Sequence, residues 1–293
     1  MTAASIHKVR EGRPSYVGIG AQKCASTWLH RILAPHPQVV VPAVKEIDFF
    51  SHHYDRGYQW YESRFPPRCG VQRASGEISP SYFSDPCVPA RIARYAPDVR
   101  IIVSLRDPVE RALSNHRHEV RAGHLTGSDL SFERGLENNP MYVEQGLYAK
   151  HLRGWLEHFP LDQLLVVLMD DVLFDPETVS RAVYRFLGVD DSFVPATAHG
   201  HFNRSYAMRS HAVGDFKDSL YTLTRTAGLR WAWSLAAGLG MRALYRGINT
   251  APSEAVIPLP RPETIAALRR MFEPDLRELE ALIGRSLAPW LTR

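Results

Sequence analysis

A lysine and two neighbouring hydroxyl residues stand between a short apolar run and the start of a helical pattern. The run is Tyr16–Gly20, and Lys23, Ser26 and Thr27 follow it. We interpret this stretch as a buried strand, a tight loop and a helix that begins at Ser26. Backbone N–H groups at a helix start, together with the helix dipole, attract an anion. Lys23 adds a full positive charge, so the pattern predicts a phosphate-binding loop.

The loop differs from the phosphate-binding motif of ordinary nucleoside triphosphatases. That motif has a glycine directly before its lysine, whereas Gln22 precedes Lys23 in the pattern G-x-x-K-x-x-S-T. A P-loop-like kinase that uses ATP and Mg²⁺ is therefore an alternative that the motif disfavours. Dependence on a metal ion would separate the two hypotheses.

A second candidate anion site follows the most apolar predicted strand, Val99–Leu105. Arg106 stands where ligands bind in open α/β sheets, at the carboxyl end of a strand. Ser114 lies eight residues further on, two turns into the predicted helix, so both side chains can serve one phosphate. The alternative is an ordinary ion pair between Arg106 and Asp107 or Glu110. Two phosphate sites on one sheet predict a ligand that is phosphorylated at two positions.

Apolar runs alternate with helical patterns through the first two thirds of the chain, which predicts a P-loop-like parallel β-sheet flanked by helices. The 293 residues divide into a flexible tail at 1–14 and a single α/β domain at 15–293, of which 211–293 is mainly helical. Helices are predicted at Glu144–His158, Pro176–Leu187, 211–226, 229–245 and Pro262–Ile283, among others.

The overall composition is that of an ordinary globular protein with a net charge of +4 and no basic run of the nucleic-acid type. Three cysteines without a C-x-x-C pair, and no apolar leader after Met1, predict a reducing, cytoplasmic location. The histidines lack partners at metal spacing, so we expect no metal. The apolar run at 231–245 is interpreted as a buried helix; an alternative is a non-catalytic, membrane-associated nucleotide-binding module anchored by the 229–245 helix.

Several segments together resemble sulfotransferases that use PAPS (3′-phosphoadenosine 5′-phosphosulfate). Lys45-Glu-Ile-Asp-Phe-Phe50 is similar to the K-E-x-x-F-F segment of the heparan-sulfate type, and Glu77-Ile-Ser-Pro-Ser-Tyr-Phe83 to its E-K-[ST]-P-x-Y-F segment. The resemblance covers residues 15 to 290. Tyr16–Leu29 and Ile101–Asn115 together resemble the two donor-binding segments of these enzymes. The remaining landmarks are Gly146–Trp155, Phe159-Pro160, Phe186–Gly188 and Leu279–Trp290.

The resemblance implies roles for individual residues. Glu46 would be the general base on an acceptor hydroxyl, and Lys23 would stabilise the leaving phosphate. Arg106 and Ser114 would hold the 3′-phosphate, in agreement with the two-site interpretation. The other partners would be PAPS or its product and a small-molecule, glycan or lipidic acceptor in a bacterial enzyme. The segment expected to bind the 5′-phosphosulfate is Lys23, Cys24, Ala25, Ser26, Thr27 and Trp28.

One position departs from the family pattern. Ile78 stands where the heparan-sulfate type has a lysine after the glutamate. We expect Arg204 or Arg209 to supply the missing positive charge, or the acceptor to be different. Arg209 lies in a loop with two arginines that either closes over the donor or is a flexible cationic loop without donor contact.

Overall fold

The computed structural model describes residues 13–67, 70–195 and 257–292, together with the backbone of two short strands at Tyr206–Met208 and Thr250–Pro252. Most of the predicted tail at 1–14 lies outside the described residues, as do the predicted helices at 211–226 and 229–245. Arg204 and Arg209 lie outside them as well.

A five-stranded parallel sheet forms the centre of the described chain. Its spatial order is β2-β3-β1-β4-β5, so β1 lies between β3 and β4. All residues of β1 and β3 are buried, as expected for strands covered on both faces. The strands are β1 (Tyr16–Gly20), β2 (Val39–Val40), β3 (Ala74–Ile78), β4 (Arg100–Leu105) and β5 (Leu164–Leu168).

Helices follow each strand and cover the sheet, which confirms the predicted fold class. The first part of the chain contains α1 (Ser26–Leu33), α2 (Phe49–His52), α3 (Gly57–Glu62), α4 (Val88–Tyr95) and α5 (Pro108–Ala122). The middle part contains α6 (Phe132–Asn138), α7 (Met141–Glu144), α8 (Tyr148–Leu156), α9 (Met169–Phe174) and α10 (Pro176–Leu187). The described carboxyl end is helical, with α11 (Pro262–Ile283) and α12 (Ala288–Thr292).

The predicted helix at Glu144–His158 is wrong at its amino end, because the chain turns between α7 and α8. Gly146 lies in this turn, and a side chain on it would come within 2.7 Å of the Phe272 ring. The carboxylate of Asp275 accepts hydrogen bonds from the backbone N–H groups of Ala149 and Lys150, both at 3.0 Å. A carboxylate from a distant helix therefore caps α8 and fixes its start at Tyr148.

Backbone contacts group the chain into two compact units. The first contains residues 1–111, 143–202 and 268–293, and hence the whole parallel sheet. The second contains residues 112–142 and 203–267, including the antiparallel pair β6 (Tyr206–Met208) and β7 (Thr250–Pro252). No helix within the described ranges is long and apolar enough to cross a membrane.

Candidate functional site

The loop between β1 and α1 has the shape that the sequence predicts for an anion site. Its strand ends at Gly20 and its helix begins at Ser26, as expected. Lys23 and Ala25 adopt left-handed backbone conformations, with φ of 66° and 69°. Ala25 provides no side-chain cap and the first turn of α1 has no acidic residue, so its positive end is not neutralised locally.

The six predicted loop residues divide by burial. The side chain of Cys24 is fully buried, and Trp28 is 1% exposed in the core against the sheet. Burial raises the pKa of the Cys24 thiol, as expected for an inert structural cysteine. Ser26 is also buried, whereas the other three, Lys23, Ala25 and Thr27, are half-buried.

Hydrogen bonds tie this loop to the end of β4. Ser104 donates its hydroxyl proton to the carbonyl oxygen of Gly20 at 3.2 Å, and the Ala21 N–H donates to the Ser104 carbonyl at 2.8 Å. Tyr148 makes a second connection. Its hydroxyl lies 3.6 Å from the Cys24 sulfur and donates to the carbonyl oxygen of Arg106 at 2.9 Å. Ser104 and the buried Tyr148 therefore both connect the two segments that are predicted to hold phosphates.

Arg106 lies at the predicted strand end, where its guanidinium is paired with Glu110 at 3.0 Å. This is one of the two ion pairs that the sequence left as an alternative. The neighbouring Asp107 accepts hydrogen bonds from the first N–H groups of α5 and pairs with Arg269 at 3.4 Å. Ser114 lies on α5 but falls in the second compact unit, so its joint role with Arg106 stays a prediction.

Lys45 is a candidate site residue that the sequence interpretation did not single out. Its ammonium group donates to the hydroxyl oxygen of Ser26 at 3.3 Å, and it also forms a short ion pair with Glu46. One cation therefore connects the candidate base to the first residue of α1. The Lys45 side chain is 21% exposed and that of Glu46 is 48% exposed, so both remain accessible to a ligand. The motif contains Lys45, but only the fold shows that it reaches the loop.

Glu77 is a second residue that the sequence interpretation did not single out. It is 2% exposed, and burial raises its pKa from 4.5 to about 7. Ser79 and Tyr82 both donate hydroxyl protons to it, at 2.6 Å and 2.7 Å. The next residue, Ile78, is 3% exposed and packs against Gly18 in the core.

Comparison with known proteins identifies the family. Residues 15–217 match the family model described as "Sulfotransferase domain". The chain belongs to the sulfotransferase family. Human heparan sulfate glucosamine 3-O-sulfotransferases 3B1 and 3A1 are each 33% identical over 221 residues, which cover 73% of this chain and 56% and 53% of those proteins. The human bifunctional heparan sulfate N-deacetylase/N-sulfotransferase 3 is 32% identical over 222 residues, covering 70% of this chain and 24% of that protein.

The sulfotransferase fold extends over almost the whole chain. The crystal structure of a sulfotransferase from Alicyclobacillus acidocaldarius covers 95% of this chain and 98% of its own, with a TM-score of 0.69 and 26% identity. The resemblance read from the sequence is thereby confirmed. The chain spans about half the length of the human 3-O-sulfotransferases that it matches, or 53% to 56%.

Proposed function

We propose that this sulfotransferase moves a sulfuryl group from PAPS to the hydroxyl of a glycan, lipid or small molecule. The observation that carries the proposal is that the loop of Lys23 and the segment of Glu46 meet at the start of α1. The loop of Lys23 ends at Ser26, and Lys45 connects Ser26 to the candidate base Glu46. The relatives named as 3-O-sulfotransferases support a hydroxyl acceptor.

The proposed reaction is a direct displacement at sulfur. Glu46 takes the proton of the acceptor hydroxyl while the acceptor oxygen bonds to sulfur. The bond between sulfur and the bridging phosphate oxygen breaks, and that oxygen keeps the electron pair. Lys23 and the N–H groups at the start of α1 stabilise the negative charge that develops on the leaving phosphate. The base contributes about 10²–10⁴-fold and the remaining acceleration comes from positioning and charge.

Lys45 supplies the second positive charge in this proposal. Ile78 lies in the core and brings no charge to the position of the family lysine. Lys45 instead reaches the loop from the segment that carries the base. An exposed ion pair contributes only about 0–1 kcal/mol, so Glu46 can exchange Lys45 for an acceptor hydroxyl at little cost.

Nucleotide binding tests the donor. Calorimetry should show that 3′,5′-ADP binds more tightly than 5′-ADP, because Arg106 contacts the 3′-phosphate. Arg106→Ala should weaken binding of 3′,5′-ADP by about 10- to 100-fold, the value of one charge-assisted hydrogen bond, and should abolish the preference. Arg153→Ala is the control, because this arginine is likewise paired with a glutamate, Glu278. Equal binding of the two nucleotides by the unaltered protein would contradict the assignment of PAPS.

Transfer assays test the base. Sulfuryl transfer from PAPS is measured with a panel of phenol, sugar and sterol hydroxyls, and the variants are compared on the acceptor that the unaltered protein uses. Glu46→Gln should lower turnover by about 10²–10⁴-fold and leave the affinity for 3′,5′-ADP unchanged. Glu137→Gln is the control, because Glu137 is another exposed glutamate paired with a basic neighbour, Arg134. Normal turnover in Glu46→Gln would remove Glu46 as the base.

A further inference from the structure

Two buried hydroxyl groups lie between Glu77 and the segment that carries Glu46. The hydroxyl of Ser79 donates to one carboxylate oxygen of Glu77 at 2.6 Å and accepts the Asp48 N–H at 3.0 Å. The hydroxyl of Tyr82 donates to the other carboxylate oxygen at 2.7 Å and accepts the Phe50 N–H at 3.3 Å. Both hydroxyl-bearing side chains are fully buried.

The direction of these hydrogen bonds follows from the donors available. A hydroxyl has one proton, and a backbone N–H can only donate. Each hydroxyl oxygen therefore accepts the backbone N–H. Its own proton is then donated to the Glu77 carboxylate. An ionised carboxylate accepts both protons and makes each hydroxyl oxygen a stronger acceptor.

We propose that Glu77 is a positioning residue, which holds the segment Lys45–Phe50 in place through the hydroxyls of Ser79 and Tyr82. The inference rests on the proposed function only where it concerns catalysis; the structural connection stands without it. Glu46 and Asp48 have left-handed backbone conformations, with φ of 64° and 52°. Such a backbone is costly for residues other than glycine and must be held by its surroundings.

The turn that carries the two hydroxyls is also attached to the strand of the donor loop. The Ser79 N–H donates to the Gly18 carbonyl at 2.9 Å, and the Phe83 N–H donates to the Ile19 carbonyl at 2.9 Å. The Lys45–Phe50 segment and β1 are thus both hydrogen-bonded to the same turn, Ser79–Phe83. This arrangement sets the distance between a base on that segment and a sulfuryl donor bound after β1.

The groups around Glu77 make its charge sensitive to pH near neutrality. Burial is the largest cause of its raised pKa of about 7, and the negative charge of Asp48 raises the pKa further. The hydrogen bonds from Ser79 and Tyr82 oppose this effect. The facing tyrosines from β1 and α3, Tyr16 and Tyr61, themselves have raised pKa values, because they are buried and lie near the carboxylate. Above pH 7 both hydroxyl protons therefore have an ionised acceptor, while the buried charge lowers the free energy of unfolding.

Amide hydrogen exchange, resolved at single residues, tests the connection in the full chain without any acceptor. Glu77→Gln should speed exchange by about tenfold at Asp48 or Phe50, whichever amide depends on the hydroxyl that faces the new NH₂ group, because a side-chain amide keeps only one acceptor oxygen. Ser79→Ala should affect Asp48 alone, and Tyr82→Phe should affect Phe50 alone. Glu62→Gln is the matched control, since Glu62 accepts a hydrogen bond from Tyr95 at 2.7 Å without bonding the base segment. Affinity for 3′,5′-ADP should stay the same in all four variants.

The outcomes separate this inference from the proposed function. Unchanged exchange at both amides in Glu77→Gln would overturn the inference, whether or not the protein transfers sulfuryl groups. Faster exchange together with a turnover loss of about tenfold, and an unchanged KM for PAPS, supports it. Faster exchange with normal turnover would overturn the positioning role.

Discussion

Replacing Glu77 by glutamine should change how the stability of the protein depends on pH. Glu77 has a pKa of about 7 in the folded chain and 4.5 when it is exposed to water. The folded state therefore binds a proton more tightly than the unfolded state does. The stabilising contribution is fully present below pH 4.5 and is lost as the pH rises through 7. At 1.36 kcal/mol per pH unit, the difference between the two pKa values corresponds to about 3 kcal/mol.

Urea unfolding at a series of pH values between 4.5 and 8.5 measures this effect. The free energy of unfolding of the unaltered protein, minus that of Glu77→Gln, should fall by about 3 kcal/mol over this range. Taking the difference removes the contribution of every titrating group that does not interact with Glu77. Tyr82→Phe should move the fall to higher pH, because the hydroxyl that lowers the pKa of Glu77 is then missing. Parallel stability profiles for the unaltered protein and Glu77→Gln would refute the assigned pKa.

Two further substitutions test the connections around the donor loop. Tyr148→Phe removes the contact with Cys24 and the hydrogen bond to the Arg106 carbonyl. It should lower the free energy of unfolding in urea by about 1 kcal/mol and weaken the binding of 3′,5′-ADP in calorimetry. Unchanged affinity would show that nucleotide binding does not depend on this connection between the loop and the end of β4. Gly20→Ala should lower the free energy of unfolding by about 1–3 kcal/mol or more. Gly20 has a φ of +129°, and an added Cβ would lie 2.7 Å from the carbonyl oxygen of Pro80. A variant as stable as the unaltered protein would contradict this close approach.

Elements whose ends are set by local chemistry could be predicted from the sequence. The helix α10 begins and ends as expected, at Pro176 and Leu187. Asp175 caps its first turn by accepting the Thr178 N–H, and Gly188 ends it with φ of 68°. The strand β1 and the start of α1 were predicted for the same reason, since an apolar run, a tight loop and a helix start follow one another directly.

Features set by distant residues could not be predicted. The start of α8 depends on Asp275, more than 120 residues away in the chain. Lys45 reads in the sequence as an ordinary neighbour of Glu46, and only the packing of its segment brings it to Ser26. The burial of Glu77 is equally hidden, because a glutamate within a short polar segment has no local signal for a fully enclosed carboxylate. Arg209 lies outside the described residues, so its role stays a prediction.

The order of strands in the sheet has a consequence for inheritance. Because β1 lies between β3 and β4, Lys23, Glu77 and Arg106 lie at or shortly after the carboxyl ends of three adjacent strands, with Glu46 on the connection between β2 and β3. All four positions fall within one uninterrupted third of the chain, before Arg111. A genetic exchange downstream of this stretch would pass on these four positions as a single block. Descendants of such a gene would inherit the proposed donor loop and base together, joined to a different second half of the chain.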